Sequence, residues 1–382
     1  MALEDYSQFI YRCSKCGACR FSKKKGEHGP YNSTCPSGVR FGFESYWPSG
    51  KNDIARGLLE GTLEWSGRLI HRVYSCTTCG ACDQICREAT GKRTFPVIME
   101  LRRELVRRNI GPVPVLKQAR KNIEKFHNPQ KMEHEKRLDW LPEDVNSKGK
   151  IIFYAGCTAS YMRQEIARSV VKVLKSADIE FGVLEDEWCC GYPDFYAGYE
   201  DSLKETARHN VEVLEKAGAE KVLFACPGCY DVFKNHYPEF LDRELPFETA
   251  HTTEYFNELI KGGALKPAKE IEKRVTYHDP CKLGRMNGVY DDPREIMRNI
   301  PGLDLVEMER DREFSWCCGG GGNIPLIYPD FARWTAGNRL EEAESTEVDM
   351  LVSACPGCKN SLKDAGGNME VVDLTELLAR SI

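Results

Sequence analysis

The sequence predicts an α/β protein in which a mainly helical N-terminal part precedes two α/β lobes related by a pseudo-twofold. Three observations predict it. A five-cysteine pattern occurs twice beyond residue 150: Cys157, Cys189-Cys190-Gly191 and Cys226-Pro227-Gly228-Cys229, then Cys281, Cys317-Cys318-Gly319 and Cys355-Pro356-Gly357-Cys358. Corresponding cysteines are offset by 124 to 129 residues, a drift small enough to mean duplication with slightly different loops. Within each copy, short β-type runs alternate with helical periodicity and lead into the cysteines, the order of a parallel sheet with ligands at the carboxyl ends of its strands.

The N-terminal part, expected over residues 1–110, holds the other eight cysteines. Cys13, Cys16 and Cys19 stand at intervals of three and are followed by Cys35-Pro36; Cys76, Cys79 and Cys82 repeat the interval, with Cys86 four residues on. Three cysteines so spaced wrap one turn of backbone around a cubane [4Fe-4S] cluster, and in two-cluster ferredoxins the distant fourth ligates the other cluster. This pairs Cys13, Cys16 and Cys19 with Cys86, and Cys76, Cys79 and Cys82 with Cys35, in a ferredoxin-like arrangement of two cubanes. The spacing departs from the ferredoxin norm, since fifteen residues separate Cys19 from Cys35. Zinc ribbons, the alternative, use paired CxxC units rather than triplets. Helices are expected over 54–63 and 96–108, the latter with Ile98, Leu101 and Leu105 on one face and solvated arginines on the other. Residues 111–150, rich in lysine, glutamate, asparagine and proline, read as a helix-containing linker.

The first lobe is expected over 151–270 and the second over 271–382. Strands at 150–154 and 274–277 run into the first cysteine of each copy, and 180–184 and 303–306 precede the paired cysteines. Residues 221–224 and 349–352 lead into the CPGC turns. A helix over 164–175 carries Ile166, Val170, Val173 and Leu174 as its apolar stripe.

Composition sets the class. The chain has 382 residues, 41% hydrophobic and 29% charged, with 18 cysteines and a formal charge of -5. That is the composition of a globular protein with several cores. Acidic residues outnumber basic ones 58 to 53 with no basic stripe, so nucleic acid is not an expected partner. No apolar run approaches the length of a membrane span and no signal peptide is evident at Met1, so a cytoplasmic protein is expected, without direct membrane insertion. Clustered cysteines in a reducing compartment favour metal thiolates over disulfides.

A fifth cysteine beside a neighbour exceeds what a zinc site or an ordinary cubane needs, and bridging two irons is a better use of Cys189-Cys190 and Cys317-Cys318 than a strained vicinal disulfide. In each CPGC turn, proline sets the turn and glycine lets two sulfurs approach one metal. A thioredoxin-type dithiol does not account for the linked upstream pair. Gly319-Gly320-Gly321-Gly322-Asn323 lacks the lysine and hydroxyl residue of a phosphate loop, which leaves close packing on a cluster and room for substrate as its expected uses. With no GxGxxG after a strand, flavin and NAD are expected on a partner rather than on this chain. Trp188 and Trp316 read as cluster shields. His278 and Lys282, flanking Cys281, are the candidate catalytic groups for supplying a proton or binding an anionic substrate, ahead of His251, Asp194 and Tyr196.

The two WCCG and ACPGC units, with Tyr277-His278-Asp279-Pro280-Cys281 and Leu283-Gly284-Arg285, resemble the CCG-domain family of heterodisulfide reductases, in the layout of its fused catalytic subunit. Iron-sulfur subunits of anaerobic glycerol-3-phosphate dehydrogenase and glycolate oxidase are similar. The resemblance implies two noncubane [4Fe-4S] clusters, one on Cys157, Cys189, Cys190, Cys226 and Cys229 and one on Cys281, Cys317, Cys318, Cys355 and Cys358, facing each other across a disulfide substrate. It implies an iron-sulfur oxidoreductase that takes electrons through the N-terminal cubanes and reduces or forms a disulfide, or an electron-transfer subunit of a larger flavin-containing complex linked to a quinone, a ferredoxin or an aromatic thioester. The partners it implies are a flavoprotein or other electron-donating subunit, or a membrane cytochrome b-type subunit. Relatives often carry histidine after the HDPC cysteine, where this chain has Lys282.

Overall fold

The structure, a computed structural model, describes residues 2–21 and 31–382. Beyond the helical N-terminal part, the strands form two all-parallel sheets. In the first lobe β1 (Ile151–Tyr154), β2 (Lys221–Phe224) and β3 (Glu248–His251) lie in the order β1-β2-β3. In the second, β4 (Lys273–His278), β5 (Leu303–Leu305), β6 (Met350–Ser353) and β7 (Glu370–Asp373) lie in the order β5-β4-β6-β7. The inner strands β2 and β6 carry short apolar runs, Val222, Leu223 and Phe224 in one and Met350, Leu351 and Val352 in the other, buried on both faces as a parallel sheet requires. Full burial of Val222, Leu223 and Phe224 contributes about 1.5–3 kcal/mol per side chain.

The two sheets agree in order once β5 is matched to a single residue of the first lobe. The strand expected over 180–184 is reduced to Gly182, which bridges Ile152 on one side and Asn146 on the other. Phe153 N donates to the Gly182 carbonyl at 2.8 Å, and Val183 N to that of Asn146 at 2.8 Å. A Cβ at Gly182 would lie 2.9 Å from Ile152 Cδ1 and from the Lys148 carbonyl. The segment is squeezed between two neighbours, so regular pairing does not extend. β3 and β7 go beyond the sequence expectation, because Glu248–His251 and Glu370–Asp373 are edge strands with polar ends and little apolar pattern.

The pseudo-twofold is visible in the helices. Gln164–Ser176, the first long helix of lobe one, packs on Leu374–Arg380, the last helix of lobe two; Thr252–Lys261, the last of lobe one, packs on Asp291–Arg298 of lobe two. The exchange merges both sheets into one continuous core that includes Ile152, Val222, Val275 and Val352.

In the N-terminal part, Pro48–Leu59 starts earlier than expected because proline fits the first helical position. Its Ile54, Ala55 and Leu58 share a core with Val73, Leu101 and Leu105. Phe95–Arg107 departs from expectation in one respect that matters below: Arg102 and Arg103 are buried rather than solvated. Between 111 and 150, helix Pro114–Phe126 buries Leu116, Ala119 and Ile123, and Trp140 enters the first lobe's core, so this stretch has the apolar face that its composition hides.

Candidate metal centres

The two N-terminal cysteine loops have the same backbone. Lys15 (φ 55°) and Gly17 (φ 76°) flank Cys16, and Thr78 (φ 52°) and Gly80 (φ 73°) flank Cys79. Left-handed residues on either side of the middle cysteine curl each loop around a point, which only glycine adopts without steric cost. Cys86, on helix Ala81–Thr90, joins Cys13, Cys16 and Cys19 around one cavity beside Lys92. The other set gathers Cys35 with Cys76, Cys79 and Cys82, whose thiols act electrostatically on one another. Thr78 N donates to Cys76 Sγ and Gly38 N to Cys35 Sγ, both at 3.4 Å. Burial pushes the Cys35 thiol up to about 12 and Cys19 up to about 11. Such thiols ionise readily only beside a strong positive charge, and a metal ion supplies one.

In each lobe three of the five cysteines follow two strand ends. Cys157 follows β1 and Cys281 follows β4; Cys226 and Cys355 cap helices Pro227–Asn235 and Pro356–Asp364, which carry Cys229 and Cys358 in their first turns. The paired cysteines close the ring from a loop. In the first lobe the thiols act on one another in sequence, Cys157 with Cys189, Cys189 with Cys190, Cys190 with Cys229, and Cys229 with Cys226. In the second the same holds for Cys317 with Cys318, Cys318 with Cys358, and Cys358 with Cys355. The second member of each pair, Cys190 or Cys318, is lowered by neighbours on both sides. Backbone N–H groups add to the lining: Cys358 N reaches Cys355 Sγ and Gly319 N reaches Cys317 Sγ, each at 3.3 Å. A Cβ at Gly156 would come within 3.1 Å of Cys229 Sγ.

All eighteen cysteines are free thiols. Four convergent sets of soft donors with amide N–H groups aimed at sulfur fit iron-sulfur clusters.

The sets abut one another. Cys79 packs against Cys317, joining the second N-terminal set to the second lobe, and the Cys226 and Cys355 thiols act on each other, joining the two lobes. The glycine run lies in the first of these seams. A Cβ on Gly321 would be 2.3 Å from the Thr77 carbonyl, and one on Gly322 would be 2.6 Å from that of Cys76. Gly320 lies beside Cys318 Sγ as expected, but backbone of the N-terminal part fills the room anticipated for substrate at Gly321 and Gly322.

His278 is buried with its ring beside Cys318 and Cys358 rather than its sequence neighbour Cys281. Arg339 Nε donates to His278 Nδ1 at 3.1 Å, which leaves Nε2 to carry the proton of the neutral ring, and burial lowers its pKa. Lys282 turns toward the first lobe, where its ammonium donates to the Tyr196 hydroxyl and lies 3.7 Å from Asp231. Tyr196 in turn donates to Asp231 at 3.1 Å. Of the lesser candidates, His251 caps helix Thr252–Lys261, and Asp194 accepts from the Ser202 hydroxyl, with burial raising its pKa to about 6. Sequence reasoning gives no role to Arg102, Arg285 or Arg339, because an arginine whose partners are remote in sequence has no local signature. Arg285 donates to the carbonyls of Glu313, Ser315 and Cys79 and so holds the seam.

Comparison with known proteins agrees with this geometry. Residues 151–234 and 275–363 match the cysteine-rich domain family CCG, and residues 9–89 match the 4Fe-4S dicluster domain family. The chain is 41% identical over 320 residues to a subunit of the dihydromethanophenazine:CoB--CoM heterodisulfide reductase of Methanosarcina mazei, covering 81% of this chain and 78% of that one. The chain belongs to the heterodisulfide reductase-like family of CCG-domain iron-sulfur oxidoreductases. Members of this family differ in their reactions: at 31% identity, over 81% of this chain and 46% of its own length, an EtfAB:quinone oxidoreductase of Syntrophomonas wolfei is also similar. A hypothetical protein from Helicobacter pylori shares the fold, with a TM-score of 0.53 at 12% identity, covering 75% of this chain and 57% of that one. The expected α/β class, the iron-sulfur cofactors and the oxidoreductase class are thus borne out. Among the described residues no helix is long and apolar enough to cross a membrane.

Proposed function

We propose that this chain is a heterodisulfide reductase-type catalytic subunit that reduces, or in reverse forms, a small disulfide between its two lobes. The observation that carries this reading is the completeness of both five-cysteine sets and their meeting at Cys226 and Cys355. In this reading Cys13, Cys16, Cys19 and Cys86 hold one cubane and Cys35, Cys76, Cys79 and Cys82 the other. Each five-cysteine set holds a noncubane cluster. The chain divides into a ferredoxin-like domain over 1–110, a linker over 111–150, and lobes over 151–270 and 271–382.

Bound clusters supply single-electron carriers. The chain's own residues set their order, since Cys79 meets Cys317 and Cys355 meets Cys226, so the second lobe stands between the cubanes and the first lobe. Cleaving a disulfide to two thiols takes two electrons and two protons. Lys282, poised between Tyr196 and Asp231 beside Cys281, is a proton donor and anion contact suited to that site, and His278 holds its proton toward Cys318.

Electrons enter at the exposed Cys16 edge from a flavoprotein, another donor subunit or a membrane cytochrome b-type subunit, and the protein works in the cytoplasm. A second reading, an electron-transfer subunit without disulfide chemistry, is favoured by the similarity to a quinone oxidoreductase.

The test is to purify the protein anaerobically, reduce it and record its EPR spectrum during oxidation with and without a heterodisulfide. A paramagnetic species seen only with the disulfide is expected. An unchanged spectrum from intact clusters would select the electron-transfer reading.

A further inference from the structure

Three arginines are among the largest fully buried side chains, and their partners differ in kind. Arg294 is forked onto Asp279 at 2.7 and 2.9 Å and onto Glu307 at 2.6 and 2.9 Å. Arg339 donates to Glu342 at 2.7 Å. Arg102 meets only carbonyls. Its Nη1 donates to Tyr196 at 2.6 Å and Gly322 at 3.3 Å, and its Nη2 to Cys76 at 2.7 Å and to Val73 and Tyr74 at 3.4 Å. Its Nε is buried without a partner, and the guanidinium lies 4.9 Å from the centre of the Tyr74 ring.

Among the described residues no carboxylate lies within ion-pair distance of it. Carbonyl dipoles satisfy its N–H groups but do not cancel a full charge, and an uncancelled charge in the interior is strongly unfavourable. Tyr74 offers the guanidinium only its ring face, and its hydroxyl donates to the Ala197 carbonyl at 2.8 Å. That leaves Cys76, whose carbonyl takes the shortest Nη2 contact.

We propose that Arg102 is the buried counter-charge of the cluster site built on Cys35, Cys76, Cys79 and Cys82, and that it positions that site by tying the N-terminal part to both lobes. The inference rests on the reading of these cysteines as cluster ligands. A cluster on four thiolates is net negative and becomes more so on reduction, so a fixed cation favours its reduced form. The same guanidinium holds Cys76 of the N-terminal part, Tyr196 of the first lobe and Gly322 of the second. It thereby favours electron acceptance at the N-terminal site that meets the second lobe, where Cys79 lies beside Cys317.

The test uses full-length holoprotein: wild type, Arg102→Lys, Arg102→Met, and Cys76→Ala to assign the signal. Iron and sulfide content, the EPR-monitored midpoint potential of this cluster and the melting temperature are measured on each. Arg102→Met is expected to disfavour the reduced form about tenfold, a downward shift of about 59 mV for one electron. Arg102→Lys should hold the wild-type potential while melting earlier, because the charge stays and the fork is lost. Should Arg102→Met fail to load iron where Arg102→Lys loads it, the charge is needed for assembly and the proposal stands. It is overturned if both variants load with unchanged potential, if both shift alike, or if neither loads. Wild-type protein without a cluster assignable through Cys76→Ala would instead sink the ligand reading itself.

Discussion

The two lobes carry the same five cysteines at matching places in the chain, yet their surroundings differ wherever a different body packs outside. After the paired cysteines the first lobe continues Gly191-Tyr192-Pro193, while the second continues Gly319-Gly320-Gly321-Gly322, since backbone of the N-terminal part passes within contact of the latter. Trp188 is half-buried and stacked between His127 and His209, with centroids 3.9 and 3.6 Å away. Trp316 is buried, donates to the Thr335 carbonyl at 2.9 Å and lies 4.5 Å under Arg310. Glu187 accepts from Ala155 N and Gly156 N in the first lobe, where the second has Ser315 on Arg339. The lesson is that duplication copied the cysteine arrangement, and packing made the two sites unequal in access and electrostatics.

The largest effects come from removing one lobe's site at a time. Cys190→Ala and Cys318→Ala should each lose one cluster's complement of iron and abolish disulfide-dependent reoxidation. Retention of full disulfide reduction with the clusters gone would refute lobe chemistry altogether. Cys318→Ala should also slow reduction of the first lobe, whereas Cys190→Ala should leave the second lobe reducible, as rapid-mixing absorbance and EPR would show.

Next come the helix caps after the edge strands, which occupy equivalent places with opposite chemistry. Asp373 caps Leu374–Arg380 and His251 caps Thr252–Lys261. Burial, and then the nearby Glu376, raise Asp373 to about 7, while burial lowers His251 to about 4. The folded chain therefore keeps a proton on Asp373 that the unfolded chain releases near 4, so stability from this group falls as pH rises from about 4 to 7. His251 stays neutral in the fold below its unfolded value near 6.5, so its stability is present above that pH and is lost on acidification. Asp373→Asn should gain relative to wild type by a few kcal/mol between pH 5 and 8, and His251→Asn should flatten the acid side, both by denaturant unfolding of the holoprotein.

A smaller contrast lies at the paired glycines. Gly191 and Gly319 both have φ near +80°, so alanine costs about 1–2 kcal/mol at either on backbone grounds. At Gly319 the new Cβ meets the Ala332 carbonyl at 2.4 Å, whereas at Gly191 it meets the flexible Leu203 Cδ1 at 2.6 Å. Gly319→Ala should therefore be the more destabilising by about 1 kcal/mol or more, and equal melting temperatures would show that the second-lobe loop yields. Smallest is tryptophan to phenylalanine: Trp316→Phe loses a buried hydrogen bond and part of an arginine contact, about 1–2 kcal/mol, against under about 1 for Trp188→Phe.

Much of this is legible from the chain alone. Residues 221–224 read as a strand, and are one, because Val222, Leu223 and Phe224 form an uninterrupted buried run. β3 and β7 escape such a reading because edge strands such as Glu248–His251 are half exposed and carry no apolar alternation. The arginines of Phe95–Arg107 read as a solvated face, although Arg102 is buried by contacts with Tyr196 and Gly322, far away in sequence.

What the sequence determined was the grouping of the cysteines and the doubling of the lobes, because cysteine spacing around a turn is a local property and duplication preserves it. What only the tertiary structure decided was the order of the sites, Cys79 against Cys317 and Cys226 against Cys355, and the burial of Arg102 among three parts of the chain. Such contacts join residues that are remote in sequence, and packing complementarity between distant surfaces leaves no periodic trace in either segment.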